Sequence, residues 1–170
     1  DQEHLIIVME NGYAQLLDIT GQKIIKFQLL SSSLPVNIVE CHFWGNGIAA
    51  IADDGVIYIA EGLSANDIVS KGTRIYALHT GLGKDLYCTA MAIVPPLMSR
   101  SGLLEVLIAT SNNSVLVVHE AETNNIVEDQ LLQHKLPAPI TKIAVAPNGR
   151  FLACYRKDGV LTVLSSTFST

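Results

Sequence analysis

An all-β fold is predicted by three observations. The 170 residues are 49% hydrophobic but only 16% charged, and the apolar residues are gathered in short runs dominated by Ile, Val, Leu and Tyr. Pairs of these runs flank tight turns at Glu10-Asn11-Gly12, Asp53-Asp54-Gly55, Ser111-Asn112-Asn113 and Lys157-Asp158-Gly159. Each turn ends in Gly or Asn, the residues that tolerate a positive φ, and an Asn-Gly or Asp-Gly pair between strand-like runs is a strong hairpin signal. The turns also recur: 43 residues separate Gly12 from Gly55, 58 separate Gly55 from Asn113 and 46 separate Asn113 from Gly159. Units of about 40 to 50 residues, each with several strands, are the mark of propeller blades. The predicted architecture is a β-propeller with WD40-like, four-stranded antiparallel blades, present as an incomplete arc of about four blades.

The blades are expected at approximately 1–30, 36–79, 88–133 and 140–170. In each, a first run leads through a turn to a second, the tight turn follows, then a third run and a weaker outer strand. First runs are read at Val36 to Phe43, Thr89 to Val94 and Ile140 to Ala146. The second runs are Leu5 to Met9, Ile48 to Ala52, Leu104 to Thr110 and Phe151 to Tyr155. The third runs are Tyr13 to Leu17, Val56 to Ala60, Val115 to His119 and Val160 to Leu164. Trp44-Gly45-Asn46-Gly47, Ser99-Arg100-Ser101-Gly102 and Pro147-Asn148-Gly149 turn the chain between first and second runs. Outer strands are expected at Lys23 to Leu29, Thr73 to Leu78 and Asn125 to Leu132, the last read as strand over a helical turn. The long middle interval is assigned to insertions around Ser64 to Ser70 and Pro95 to Gly102. The first blade lacks an inner strand and the last an outer one, whereas closed propellers have about 4 to 8 blades of four strands.

Composition narrows the function. A mean hydropathy of +0.34 is high, yet runs such as Ile48 to Ala52 fall far short of the ~20 residues a helix needs to span a bilayer. Strands buried on both faces account for it instead. Acidic and polar Asp1, Gln2 and Glu3 stand where a secretory signal has basic residues. A net charge of −5, with eleven scattered Lys and Arg residues, disfavours nucleic acid. Cys41, Cys88 and Cys154 lack the short spacing of zinc ligands or a disulfide framework and are expected as buried thiols in a reducing compartment.

No catalytic constellation is expected, and no cofactor or metal. His4, His42, His79, His119 and His134 offer no ligand pair, and those in strands read as structural. Ser32-Ser33 and Ser165-Ser166 lie in polar connectors without the context of a nucleophile elbow. After Asp53-Asp54-Gly55 the chain runs into apolar strand where a calcium loop needs further oxygen ligands. Gly81-Leu82-Gly83-Lys84 lacks the first glycine of a phosphate loop and places Asp85 where Ser or Thr would bind magnesium.

The most specific stretch is Val39-Glu40-Cys41-His42-Phe43-Trp44-Gly45-Asn46-Gly47, which holds the only Trp. Its aromatic pair is expected to pack between adjacent blades, with Trp44→Ala costing roughly 3–5 kcal/mol. The stretch resembles the "V-E-C-x-F-W-G-N-G" element of the N-terminal-region family of vacuolar protein sorting-associated protein 16, where a short acidic-Gly hairpin follows, here Asp53-Asp54-Gly55. Two further segments match in order. One is Ala92-Ile93-Val94-Pro95-Pro96 with Ser101-Gly102 and Glu105-Val106-Leu107. The other is Lys142 to Ala146 with Asn148-Gly149, Asp158 to Ser165 and Ser166-Thr167-Phe168. The resemblance runs from about Leu5 to Phe168.

The resemblance implies a non-catalytic interaction module of a HOPS- or CORVET-type tethering complex. That complex acts in vesicle-mediated protein transport and membrane fusion at endosomes and the vacuole or lysosome. It further implies a C-terminal α-solenoid absent from this chain, through which an SM-type SNARE regulator is held beside the other subunits. The location implied is cytoplasmic and peripheral on late endosome and vacuole or lysosome membranes, reached through the complex. A propeller from another coat, scaffold or ciliary transport complex is the alternative. A propeller enzyme is disfavoured, because the inner-strand runs offer mainly Val, Ile, Ala and Cys.

Overall fold

The computed structural model describes residues 4–18, 23–29, 36–63, 73–82, 85–95, 99, 103–120, 126–130 and 135–165. The strands are β1 (His4–Val8), β2 (Tyr13–Asp18), β3 (Lys23–Gln28), β4 (Ile38–Trp44), β5 (Gly47–Ala52), β6 (Val56–Glu61) and β7 (Arg74–His79). They continue as β8 (Cys88–Ile93), β9 (Glu105–Thr110), β10 (Val115–Glu120), β11 (Ile126–Gln130), β12 (Ile140–Val145), β13 (Phe151–Arg156) and β14 (Leu161–Ser165). They form four antiparallel sheets in the orders β1-β2-β3, β4-β5-β6-β7, β8-β9-β10-β11 and β12-β13-β14. Ile126–Gln130 is a strand, paired with β10.

One device builds all four tight turns. The side chain of the middle residue accepts a hydrogen bond from the backbone N–H two residues on. The pairs are Asn11 with Tyr13 (3.1 Å), Asp54 with Val56 (3.0 Å), Asn112 with Ser114 (3.2 Å) and Asp158 with Val160 (3.3 Å). The following residue takes a positive φ: 76° at Gly12, 81° at Gly55, 67° at Asn113 and 82° at Gly159. Asx-type bonding and left-handed tolerance are what Asn, Asp and Gly bring to a turn. In the last turn Arg156 also grips the Asp158 carboxylate in a fork, with contacts of 2.6 and 3.1 Å.

The chain divides into two compact units, Asp1–Ala77 and Leu78–Thr170. In the first, Ile48, Ala50 and Ala52 of β5 and Val56, Tyr58 and Ala60 of β6 pack with Leu29, Ile6, Val8 and Phe27 from the first sheet and its flank. A backbone bond from Ile38 N–H to the Glu10 carbonyl (2.6 Å) ties the two sheets together, while one from Leu29 N–H to the Gly12 carbonyl (2.9 Å) extends the β2-β3 ladder. In the second unit, Ala90, Ala92, Leu107, Ala109, Val115 and Val117 meet Ile140, Ile143, Leu152 and Cys154. Small residues on one sheet thus let large ones on the other approach closely.

Several expectations are corrected. Val36 and Asn37 precede β4 instead of opening it, although Asn37 is tied across to Asp53 by backbone and side-chain bonds of 2.9 and 3.2 Å. Val160 closes the last turn and lies outside β14, which reaches Ser165, so Ser165 is in a strand and not a connector. Burial on both faces holds along β5 and β9 but fails on β4, β12 and β14, each of which carries exposed residues. The Ser64 to Ser70 insertion, Arg100 to Gly102, Ser32, Ser33 and Ser166 to Phe168 lie outside the described residues.

Candidate functional site

The segment singled out by the sequence occupies β4, an edge strand of its sheet, and the reversal into β5. Trp44 faces Gly47 across that reversal. Gly45 takes a φ of 55°, the left-handed region open to glycine. Gly47 is required for a different reason: a Cβ there would run into the Ala60 carbonyl oxygen on β6. The two glycines therefore do separate jobs, one bending the chain and one letting β6 lie close.

The aromatic pair does not pack as a pair. Phe43 is 72% exposed, while Trp44 is half-buried. Neighbours in a strand point to opposite faces, so the two rings do not share one packing surface. A half-buried ring contributes less than a core ring, and Trp44→Ala is now expected to cost about 1–2 kcal/mol. Chemical denaturation of the full-length protein checks this; a loss of about 4 kcal/mol would place the ring in a closed core after all.

Ile6 and Val8 of β1, Cys41, His42 and Phe43 of β4, and Ile48 of β5 surround an open cavity of about 230 Å³. Its lining is apolar except for His42, whose Nε2 stands 3.4 Å from a Glu40 carboxylate oxygen. Nε2 is buried and makes no well-aligned hydrogen bond, so the pair is a proximity and not a formed bond. Burial pushes the Cys41 thiol up to about 11, and the same cause lifts Cys154 to about 11. A thiol held neutral is a poor nucleophile, so neither cysteine is activated. Cys41 is half-buried, not enclosed as expected, while Cys88 and Cys154 are buried.

These thiols have a pH consequence with a definite sign. Their folded values lie above the ordinary 9.0, so the fold favours the protonated form. The associated stability is fully present below pH 9 and is lost as pH rises through about 11. Chemical denaturation between those limits should show a decline that is smaller in the Cys41→Ser/Cys154→Ser double variant. An identical decline in both proteins would contradict the assignment.

The other sequence candidates fall apart in space. His79 is exposed on β7, the His4 side chain and His134 lie outside the described residues, and Gly83 and Lys84 do too. Asp53 accepts from the Asn37 side chain, and Asp54 closes the turn by accepting from Val56 N–H. His119 on β10 sits in register opposite Glu105 on β9, a fully buried carboxylate inside the run Leu104 to Thr110 whose burial the sequence pattern did not show. Among the described residues no three His, Cys, Asp or Glu side chains are grouped to hold a metal.

The family model described as "Vps16, N-terminal region" matches residues 1–170. The vacuolar protein sorting-associated protein 16 homolog of Dictyostelium discoideum is 26% identical over 170 residues, covering 100% of this chain and 19% of the relative. Protein VACUOLELESS1 of Arabidopsis thaliana is 26% identical over 177 residues, covering 96% and 20%. The chain thus spans about a fifth of the length of these relatives. The β-propeller domain of Cps50 (Swd1) from Myceliophteria thermophila superimposes with a TM-score of 0.69 at 19% identity, covering 97% of this chain and 48% of that one. The WD40 domain of Neurospora crassa Pan2 gives a TM-score of 0.65 at 17% identity, covering 99% and 45%. At those identities the likeness is one of fold: the four sheets resemble WD40-like blades.

Proposed function

Because the chain belongs to the family of the Vps16 N-terminal region, we propose that it is a non-catalytic protein-interaction module of a HOPS- or CORVET-type tethering complex. Its role is in vesicle-mediated protein transport and membrane fusion at endosomes and the vacuole or lysosome. The observation that carries this reading is the match of one family model along the whole chain. Two relatives from distant organisms, one named for vacuolar protein sorting and one for the vacuole, support it. The blades form part of a larger propeller, and a C-terminal α-solenoid in the full-length protein holds the SM-type SNARE regulator. The protein is cytoplasmic and reaches late endosome and vacuole or lysosome membranes through the assembled complex. The inert, burial-raised thiols of Cys41 and Cys154 agree with binding and not covalent chemistry.

Purification of the tagged full-length protein from cells, with identification of the subunits that accompany it, tests the proposal. A shared set of tethering subunits that includes an SM-type protein is expected. Recovery with a coat or ciliary transport assembly instead, or with no partner, would overturn it.

A further inference from the structure

Three Asn-Gly pairs, Asn11-Gly12, Asn46-Gly47 and Asn148-Gly149, lie in turns of the fold. An asparagine before a glycine carries a latent reaction, because no Cβ hinders approach of the glycine nitrogen to the asparagine Cγ. In that reaction the N–Cγ bond forms, the Cγ–Nδ2 bond breaks, and ammonia leaves with the proton of the glycine nitrogen. Water then opens the cyclic imide at either carbonyl, giving aspartate or its β-linked isomer. The three dipeptides are chemically alike, so the fold decides which of them reacts.

Attack on Cγ requires rotation about the asparagine Cα–C bond, which swings the asparagine carbonyl and the glycine nitrogen together. At two of the pairs that carbonyl is tied to another strand or its flank. The Asn11 carbonyl accepts from Gln28 Nε2 at 3.0 Å, and the flanking Gly12 and Glu10 carbonyls accept from Leu29 N–H (2.9 Å) and Ile38 N–H (2.6 Å). The Asn46 carbonyl accepts from Leu63 N–H at 2.9 Å, and Gly47 lies against the Ala60 carbonyl. At Asn148 the bonds stay within one hairpin: Oδ1 accepts from Arg150 N–H at 3.0 Å, and Gly149 N–H donates to the Ala146 carbonyl at 2.8 Å. Asn11 and Gly12 make the same two local bonds, at 3.1 and 2.8 Å, so the ties to other strands are what set the pairs apart. Pro147, Asn148 and Arg150 are exposed, and fraying of one hairpin end frees the Asn148 turn.

We infer that Asn148 is a site of spontaneous deamidation, ahead of Asn11 and Asn46, and that the fold accepts aspartate in its place. Asp54 and Asp158 already hold their own turns by the bond that Asn148 makes, a side-chain oxygen accepting from the backbone N–H two residues on. The β-linked isomer lengthens the backbone by one methylene and removes that bond. Either product adds a negative charge two residues before Arg150 on an exposed turn. The inference does not depend on which complex the protein joins.

Peptide mass spectrometry of the full-length protein, stored in mildly alkaline buffer with and without urea, tests the order. In the folded protein Asn148 should convert about tenfold or more faster than Asn11 and Asn46, since each tie that must break shifts the opening equilibrium severalfold. In urea the three should convert at similar rates. Equal rates in the folded protein, faster conversion at Asn11 or Asn46, or conversion at none of the three while the urea sample reacts would overturn the inference. Tolerance of the product is read from the Asn148→Asp variant, whose Arg150 amide should keep the hydrogen-exchange protection of the parent protein. Loop-like exchange at Arg150 in that variant alone would overturn that part.

Discussion

Leu107→Ala is expected to destabilise the second unit by about 2–5 kcal/mol, the range for truncating a fully buried leucine. Leu107 is entirely inaccessible and sits in register between Ala92 on β8 and Val117 on β10. Its surroundings include Ala90 and Ala109, whose methyl groups cannot reach into the space left behind. Ile140 and Leu152 belong to the facing sheet, and moving them inward would strain two backbones at once. The cavity would therefore persist, which places the loss in the upper half of that range. Hydrogen exchange at the β9 and β10 amides of the full-length protein reads the local stability without assuming a single unfolding step. A change below about 1 kcal/mol would mean that the second unit can collapse around the gap.

The strands and hairpins were legible in the sequence because their causes are local. Asn11, Asp54, Asn112 and Asp158 each make the same bond two residues on, and that chemistry can be read from a tripeptide. The register follows, since the turn fixes which residues face each other. What escaped was set by packing between sheets. Phe43 and Trp44 read as one aromatic pair, yet they stand on opposite faces of β4, and how far each ring is covered is set by packing between sheets. The cavity needs Ile6 and Cys41, residues far apart in sequence, and no local pattern joins them. Glu105 was visible as part of a family-like segment, but its complete burial was not, because a carboxylate at a strand start is ordinarily solvated.

The second large effect concerns the surfaces left uncovered. Register places Phe151 and Tyr155 of β13 on one face with Leu161 and Val163 of β14, and the last two are each 60% exposed. In the other unit, Leu5 and Ile7 line the face of β1 opposite Ile6 and Val8, and Leu5 is 57% exposed. Apolar sheet faces of this kind belong against a neighbouring blade, and contiguous patches beyond several hundred Å² drive association. The edges of β1 and β14, unpaired among the described residues, add sites where another chain can join the ladder. A net charge of −5 offers modest opposition.

Light scattering on residues 1–170 prepared by themselves, beside the full-length protein, is the most direct test that these sheets are blades of a larger propeller. The account predicts that the 170-residue chain self-associates while the full-length protein stays monodisperse. A monodisperse 170-residue monomer that unfolds cooperatively would contradict it.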